Sequence, residues 1–223
     1  MSALALHGYF RSSASYRVRI ALNLKGLDYT QLPVHLLRGG GEQLGEAYRR
    51  IHPDGLVPAL VDGDAPPLLQ SLAIVEYLDE CYPEPPLLPA AAADRAYVRS
   101  VAQQIACEIH PLNNLRVLGY LKSTLGVSDE QKSAWYAHWI GNGFASLERR
   151  LAAEPRVGRF VCGDTPGLAD LCLVPQVWNA RRFAIALDDY PTLVGLDERA
   201  AALPAFARAE PSRQPDAEPP PSR

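Results

Sequence analysis

Every strand signal in this 223-residue chain falls before residue 70, and Tyr82-Pro83-Glu84-Pro85-Pro86 closes that region with a run of prolines. Proline lacks the amide proton that a helix interior or a sheet ladder needs, so neither element runs through the segment. From about Ala92 onward the apolar residues recur at helical spacing only. A chain of this length accommodates one large domain or two smaller ones, and the change of pattern at the linker selects two.

In the first half, residues 3–7 and 28–34 read as strands on either side of a helix from Ser15 to Lys25. That helix has Val18, Ala21 and Leu22 at helical spacing and Gly26 as its stop. The Gly39-Gly40-Gly41 loop leads to a short helix through Tyr48. Leu56 to Asp62 and Pro66 to Leu69 then read as two strands about an Asp62-Gly63-Asp64 turn, and a helix follows from Ser71, its expected N-cap, to Cys81. A β-α-β half followed by a β-β-α half is the thioredoxin-like plan. The expected fold class is therefore an α/β thioredoxin-like N-terminal domain over residues 1–82 and an all-α C-terminal domain over 92–208. The second half is expected to hold a long helix from about Ala93 to Lys122, kinked at Pro111, and another from Asp129 to Ala153. Residues 209–223, rich in proline and poor in apolar residues, are expected to be disordered or draped over the surface.

A net charge of −3 gives no electrostatic reason for a nucleic-acid partner. Cys81, Cys107, Cys162 and Cys172 form no CxxC pair and no cluster with histidine, which argues against a metal site and against a disulfide framework. With no basic and apolar leader and no apolar run of roughly 18 residues, no membrane association is expected, and the reading is a cytoplasmic protein.

Arg11-Ser12-Ser13-Ala14-Ser15-Tyr16-Arg17 lies where the first strand runs into the first helix. A helix start presents unpaired N–H groups and the positive end of a dipole, so hydroxyls and guanidiniums added there favour an anion. Gln70-Ser71 repeats this arrangement at the next helix start. Pro58 opens a strand, a place it tolerates only at an edge or bulge, and a cis peptide would account for it. His110 and Asn114, four apart, would share one face of the long helix, with Arg116 about 200° away. Arg181 and Arg182 sit in the helix after Gln176, and arginine is suited to grip a carboxylate bidentately.

Three runs carry a resemblance: Arg11 to Gly26 (RSSASYRVRIALNLKG), Gly55 to Glu80 (GLVPALVDGDAPPLLQSLAIVEYLDE) and Val161 to Phe183 (VCGDTPGLADLCLVPQVWNARRF). In order and in register from about residue 5 to 215, they resemble the zeta class of glutathione transferases. The resemblance implies glutathione as coenzyme and a homodimer. It implies that Ser12 points its hydroxyl at the glutathione sulfur with Ser13 in support, that Val57 and cis-Pro58 bind the cysteinyl part, that Gln70 and Ser71 hold the γ-glutamyl end, and that Gln43 contacts the glycyl end. It also implies that Arg11 and Arg182 hold carboxylates of the substrate, Arg181 having the weaker case, and that His110, Asn114 and Arg116 contact glutathione or line the substrate pocket, which the helical domain completes. The activity implied is cis-trans isomerisation of the dicarboxylate keto-acid maleylacetoacetate to its fumaryl isomer by reversible thiolate addition, in aromatic amino-acid catabolism. Alternatives are maleylpyruvate, one methylene shorter, as substrate, a conjugating or dehalogenating transferase, or a non-catalytic module on the same fold.

Two departures bear on this expectation. Ala14 stands where the zeta pattern usually has cysteine, so the nucleophile must come from glutathione. Gly167 stands where such proteins usually have Ser or Thr at a helix start, with Asp170 completing a capping box; glycine there costs only a few tenths of a kcal/mol, so the segment reads as a folding element.

Overall fold

The structure, a computed structural model, describes residues 4–218. The chain forms two compact units: residues 1–87 with 203–223, and residues 88–202.

In the first unit, β1 (Leu4–Gly8) leads to α1 (Ser13–Leu24) and β2 (Tyr29–Pro33), and after a short α2 (Glu46–Arg49) come β3 (Ala59–Asp62), β4 (Leu68–Leu69) and α3 (Ser71–Cys81). The sheet order is β2-β1-β3-β4. β1 pairs parallel with β2, Leu6 opposite Gln31, and antiparallel with β3, Leu6 opposite Leu60, while β4 adds antiparallel to β3. Alternation buries Leu4 and Leu6 of β1, and the helices supply Val18, Ile20, Leu22, Ile74 and Leu78 to the same core. The two short strands are shorter than the sequence pattern suggests, since Leu56 to Pro58 lie outside the ladder and Pro66 to Pro67 precede β4.

The expectation for Ser71 is corrected in one respect. The N-cap of α3 is Gln70, at φ 68° and ψ 113°, and Ser71 is the first helical residue.

The second unit is helical: α4 (Ala92–Gln103), α5 (Leu115–Ser123), α6 (Asp129–Ala152), α7 (Leu168–Arg182) and α8 (Pro191–Ala201). α7 packs against both α4 and α8, and α6 packs on α8. Phe144, Leu147, Leu171, Val177, Leu193 and Leu196 are fully buried among them. The long kinked helix expected through Lys122 is instead broken. After α4 the backbone widens into a π-type turn over Gln104–Ile109 and tightens into a 3-10 turn over His110–Asn113, and α5 starts afresh. Pro111 donates no backbone hydrogen bond, and Asn114 leaves helical geometry at ψ 148° to cap α5 through its side chain, so the helix has no continuous ladder to follow. A β-carbon on Gly143 of α6 would sit 2.4 Å from Ile109, so α6 approaches the π turn more closely than any side chain there would allow.

The end of the chain departs from expectation in two ways: residues 203–208, expected in the helical domain, group with the first unit, and, of the two expectations for the tail, disorder fails for residues 209–218. α9 (Pro204–Ala209) groups with the first unit and packs on α1, burying Phe206 completely, and a 3-10 turn follows over Pro211–Arg213. Residues 209–218 are fastened by hydrogen bonds to residues distant in sequence, a source of order that low apolar content does not reveal. Residues 219–223 lie outside the described residues.

Candidate active site

At the junction of β1 and α1, Ser12 occupies the N-cap. Its backbone is extended (φ −69°, ψ 117°), its N–H donates to the Tyr9 carbonyl at 3.0 Å, and its Oγ accepts the Ser15 N–H at 3.2 Å. Capping occupies an acceptor site of the hydroxyl and leaves the O–H proton for another acceptor beyond the helix start. Ser13 is buried in the first turn. Beside them Arg11 lays its guanidinium over the Phe10 ring, 4.9 Å from its centroid, and donates from Nη2 to the Tyr9 phenol at 2.8 Å. Among the described residues Arg11 forms no ion pair, so its charge is available to an incoming carboxylate.

The second helix start lies in the same unit. Ser71 is buried, and its Oγ accepts from Nη1 of Arg17 at 3.2 Å; Arg17 itself is only 2% exposed. A buried cation behind a helix N-terminus adds its charge to the dipole, and the combination favours an anion. Gln70, immediately before it, is exposed and held at a positive φ that a non-glycine residue adopts only at a cost of about 1–3 kcal/mol.

Between the two, the Val57–Pro58 peptide is cis. Val57 precedes the ladder of β3, so the sheet does not use its backbone groups. Its approach is set by Tyr48, whose hydroxyl donates to the Leu56 carbonyl at 2.7 Å, and by Gly55, at φ +60°, where a β-carbon would lie 2.8 Å from the Gln43 carbonyl. Burial drives the Tyr48 phenol well above its ordinary pKa, so it remains a donor at every physiological pH. Gln43 is turned inward: Nε2 donates to the Leu36 carbonyl at 3.3 Å, and the buried Oε1 has no protein partner.

In the second unit the expected polar face of His110 and Asn114 does not exist. His110 begins the 3-10 turn and Asn114 caps α5, its Oδ1 accepting the Arg116 N–H at 3.2 Å, so the two are not on one helix. Arg116 is exposed in the first turn of α5. The residue that sequence reasoning passed over is Asn113, 8% exposed, with neither amide atom bonded to protein. Two adjacent asparagines were the only signal, and which one caps the helix depends on where the preceding turn ends. Arg182, exposed near the end of α7, lies over the rings of Phe183 and Trp178 at 4.9 and 6.0 Å. Arg181 is instead paired with the buried Asp197.

α7 itself starts as a capping box in which Asp170 Oδ2 accepts the Gly167 N–H at 2.9 Å and Oδ1 accepts the Val161 N–H at 3.0 Å. Burial pushes the Asp170 carboxyl up to about 6, against these N–H bonds, which favour its ionised form. Among the described residues no group of His, Cys, Asp and Glu could hold a metal, and no helix is long and apolar enough to cross a membrane.

Comparison with known proteins accords with this arrangement. Residues 6–86 match the family model of the glutathione S-transferase N-terminal domain, and residues 133–208 match that of its C-terminal domain. The chain is 48% identical to the maleylpyruvate isomerase of a Ralstonia species over 96% of this chain and 99% of that one. It is 47% identical to the maleylacetoacetate isomerase of Pseudomonas aeruginosa over 96% and 98%. A crystal structure of the maleylacetoacetate isomerase of Methylobacterium extorquens AM1 with bound malonate and glutathione superposes with a TM-score of 0.93 at 43% identity, covering 96% of this chain and 100% of that one. With relatives this similar along nearly its entire length, the chain belongs to the zeta class of glutathione S-transferases.

Proposed function

We propose that this protein is a glutathione-dependent cis-trans isomerase that converts maleylacetoacetate to fumarylacetoacetate, a step in tyrosine and phenylalanine breakdown. The observation that carries the reading is the junction of β1 and α1. There one capping hydroxyl keeps its proton to donate, and an arginine that has no ion pair among the described residues stands beside it. The similarity to isomerases of bacterial and animal origin supports the same reaction class.

The residues present fit glutathione. Ser71, backed by Arg17 at a helix N-terminus, suits the γ-glutamyl carboxylate, and exposed Gln70 suits its polar groups. Val57, with backbone groups outside the sheet, and Pro58 suit the cysteinyl peptide, and the orphaned Oε1 of Gln43 suits a peptide N–H near the glycyl end. When bound, glutathione supplies the thiol whose reversible addition turns the cis alkene into a rotatable single bond. Ser12 donates its hydroxyl proton toward the sulfur, and the α1 dipole favours negative charge at the same point, so the thiol ionises below the ~8.5 of a free cysteine. Ser13, buried in the first turn, is assigned to support Ser12 by the family pattern. Arg11 and Arg182 bind substrate carboxylates and favour the more negative enolate over the neutral ketone, and that difference is the catalytic contribution. His110, Asn114 and Arg116 are assigned to the ligand by the family pattern, although His110 and Asn114 do not share a helix face.

Maleylpyruvate is the second reading, supported by the Ralstonia relative. One methylene separates the substrates, which is worth at most a few kcal/mol of discrimination. We further infer a homodimer that works in the cytoplasm. The test supplies each maleyl substrate with catalytic glutathione and follows both fumaryl product and free thiol. An isomerase forms product while thiol is conserved; stoichiometric loss of thiol would mean a conjugating transferase, and no reaction would mean a binding module.

A further inference from the structure

The end of the described chain closes on the turn that carries Arg11 and Ser12. Asp216, 206 residues from Phe10 in sequence, accepts the Phe10 N–H on Oδ2 at 2.9 Å. The carbonyls of the same turn are taken by Arg19 of α1, which donates from Nη2 to Phe10 O at 2.9 Å and from Nη1 to Tyr9 O at 3.4 Å. Its Nε donates to Ala209 O at 3.0 Å, at the end of α9. One buried guanidinium thus ties the tail to the turn. Burial lowers its pKa to about 10, and the charge of Asp216 is among those that raise it again.

Asp216 is held from both sides. Gln214 accepts from Gln31 Nε2 at 2.9 Å and donates to the carbonyls of Arg208 and Glu210, while Glu218 meets Nε2 of His35 at 3.0 Å and Nη2 of Arg38 at 2.9 Å. The segment is therefore a strap with fixed ends, and its one carboxylate on the turn is aimed at a backbone N–H. Arg11 rests on the ring of Phe10, so the position of Phe10 sets the position of the guanidinium.

We propose that Asp216 is a positioning residue for Arg11: by holding the Phe10 N–H it fixes the turn that presents the Arg11 guanidinium to a substrate carboxylate. This rests on the assignment of Arg11 to a dicarboxylate in the proposed function. The strap's side-chain hydrogen bonds go to Phe10, Gln31, His35 and Arg38 and not to Gln70, Ser71 or Val57, so glutathione retention is expected to be independent of it.

The test compares the full-length protein with Asp216→Ala and Asp216→Asn. Amide hydrogen exchange at Tyr9–Ser12 is measured without ligand, and binding of malonate is measured by calorimetry with glutathione saturating. Asp216→Ala should speed exchange of the Phe10 amide about tenfold and weaken malonate about fivefold. Glutathione affinity should stay within about twofold, since its γ-glutamyl and cysteinyl contacts lie off this turn and Ser12 acts on the acidity of the sulfur more than on affinity. Asp216→Asn, which keeps an acceptor oxygen, should return exchange and malonate affinity close to the wild-type values. Faster exchange with unchanged malonate binding would overturn the proposal, as would unchanged exchange, an Asn variant behaving like Ala, or a parallel loss of glutathione affinity. Wild-type protein that binds malonate but does not isomerise either maleyl substrate would refute the assigned reaction alone, and the exchange and malonate comparison would still decide the role of Asp216. Wild type that isomerises a maleyl substrate but does not bind malonate would overturn the role of Asp216 and leave the assigned reaction standing.

Discussion

Ser12 does two things with one hydroxyl, and substitution separates them. As N-cap its oxygen accepts the Ser15 N–H, and removing it costs about 1 kcal/mol of helix stability. As donor its proton meets the thiolate, and losing a donor of that kind costs about 10²-fold in kcat. Ser12→Ala should therefore lower the melting temperature slightly, cut turnover sharply, and shift the pH–rate profile upward as the bound thiol becomes a weaker acid. Glutathione affinity, read by calorimetry, should barely move. A variant with reduced kcat but an unshifted profile would show that Ser12 does not touch the sulfur. The neighbouring arginines of α7 make the opposite contrast. Arg181 pairs with Asp197, whose side chain is 2% exposed while that of Arg181 is 45% exposed, so Arg181→Ala should cost about 1–3 kcal/mol in urea unfolding and leave KM unchanged. Arg182→Ala should raise KM for the maleyl substrate about tenfold. The sequence favoured Arg182 through its match to the family. It could not show that Arg181 is paired, because Asp197 sits sixteen residues on in another helix.

At the scale of elements, local chemistry was readable where it is local. Gly167-x-x-Asp170 implies a capped helix, and the structure has that box, with Asp170 reaching also to the Val161 N–H. Asp170→Ala would orphan two N–H groups in and around a fully buried site, at a cost of about 2–4 kcal/mol, measurable as a lower urea midpoint with unchanged glutathione affinity. A cost near zero would mean that water replaces the carboxylate. The strand-helix junctions at Ser12 and Ser71 were visible for the same reason, since hydroxyls and arginines adjoin in the chain at Ser12 and an amide and a hydroxyl adjoin at Ser71, whereas Arg17 behind Ser71 lies 54 residues away and was not visible. What stayed hidden depends on competition between neighbouring options. Pro111 told of a disturbance in the long helix, but the π turn before it and the fresh start at Asn114 follow from which residue wins the capping role and from Ile109 lying against Gly143. Of the two expectations for the tail, disorder fails for residues 209–218 because its anchors are polar. Low apolar content predicts no core of its own, yet Arg19, Gln31 and His35 supply partners that sequence proximity does not reveal.

At the scale of the whole molecule, the chain leaves the first unit at Leu87 and returns to it at Leu203, so the helical unit is an insertion between two parts of one core. The buried ionisable groups of the two units respond to acid with opposite sign. In the first unit, burial lowers the pKa of His7 and His52 below 6.5, so the folded state holds them neutral while the unfolded chain takes up protons. Their contribution is fully present above 6.5 and is lost as pH falls below it. In the second unit, burial raises Asp170 from 3.8 to about 6 and raises Asp197 in the same direction. There the folded state binds the proton first, so the penalty for burying the carboxylate is full above 6 and is relieved as pH falls toward 4. Carboxylates shifted the other way, such as Asp129, Glu154 and Glu218, begin to matter only below about 4.5. Between pH 7 and pH 5 acid should therefore loosen the first unit and tighten the second. Native-state hydrogen exchange, corrected for intrinsic rates, reads this directly: protection should fall for amides of β1, β3 and α3 and hold or rise for those of α7 and α8. Equal loss in both units would place the controlling protons elsewhere. Replacing His52 with Asn should then remove part of the first unit's response while leaving the second unit's exchange untouched.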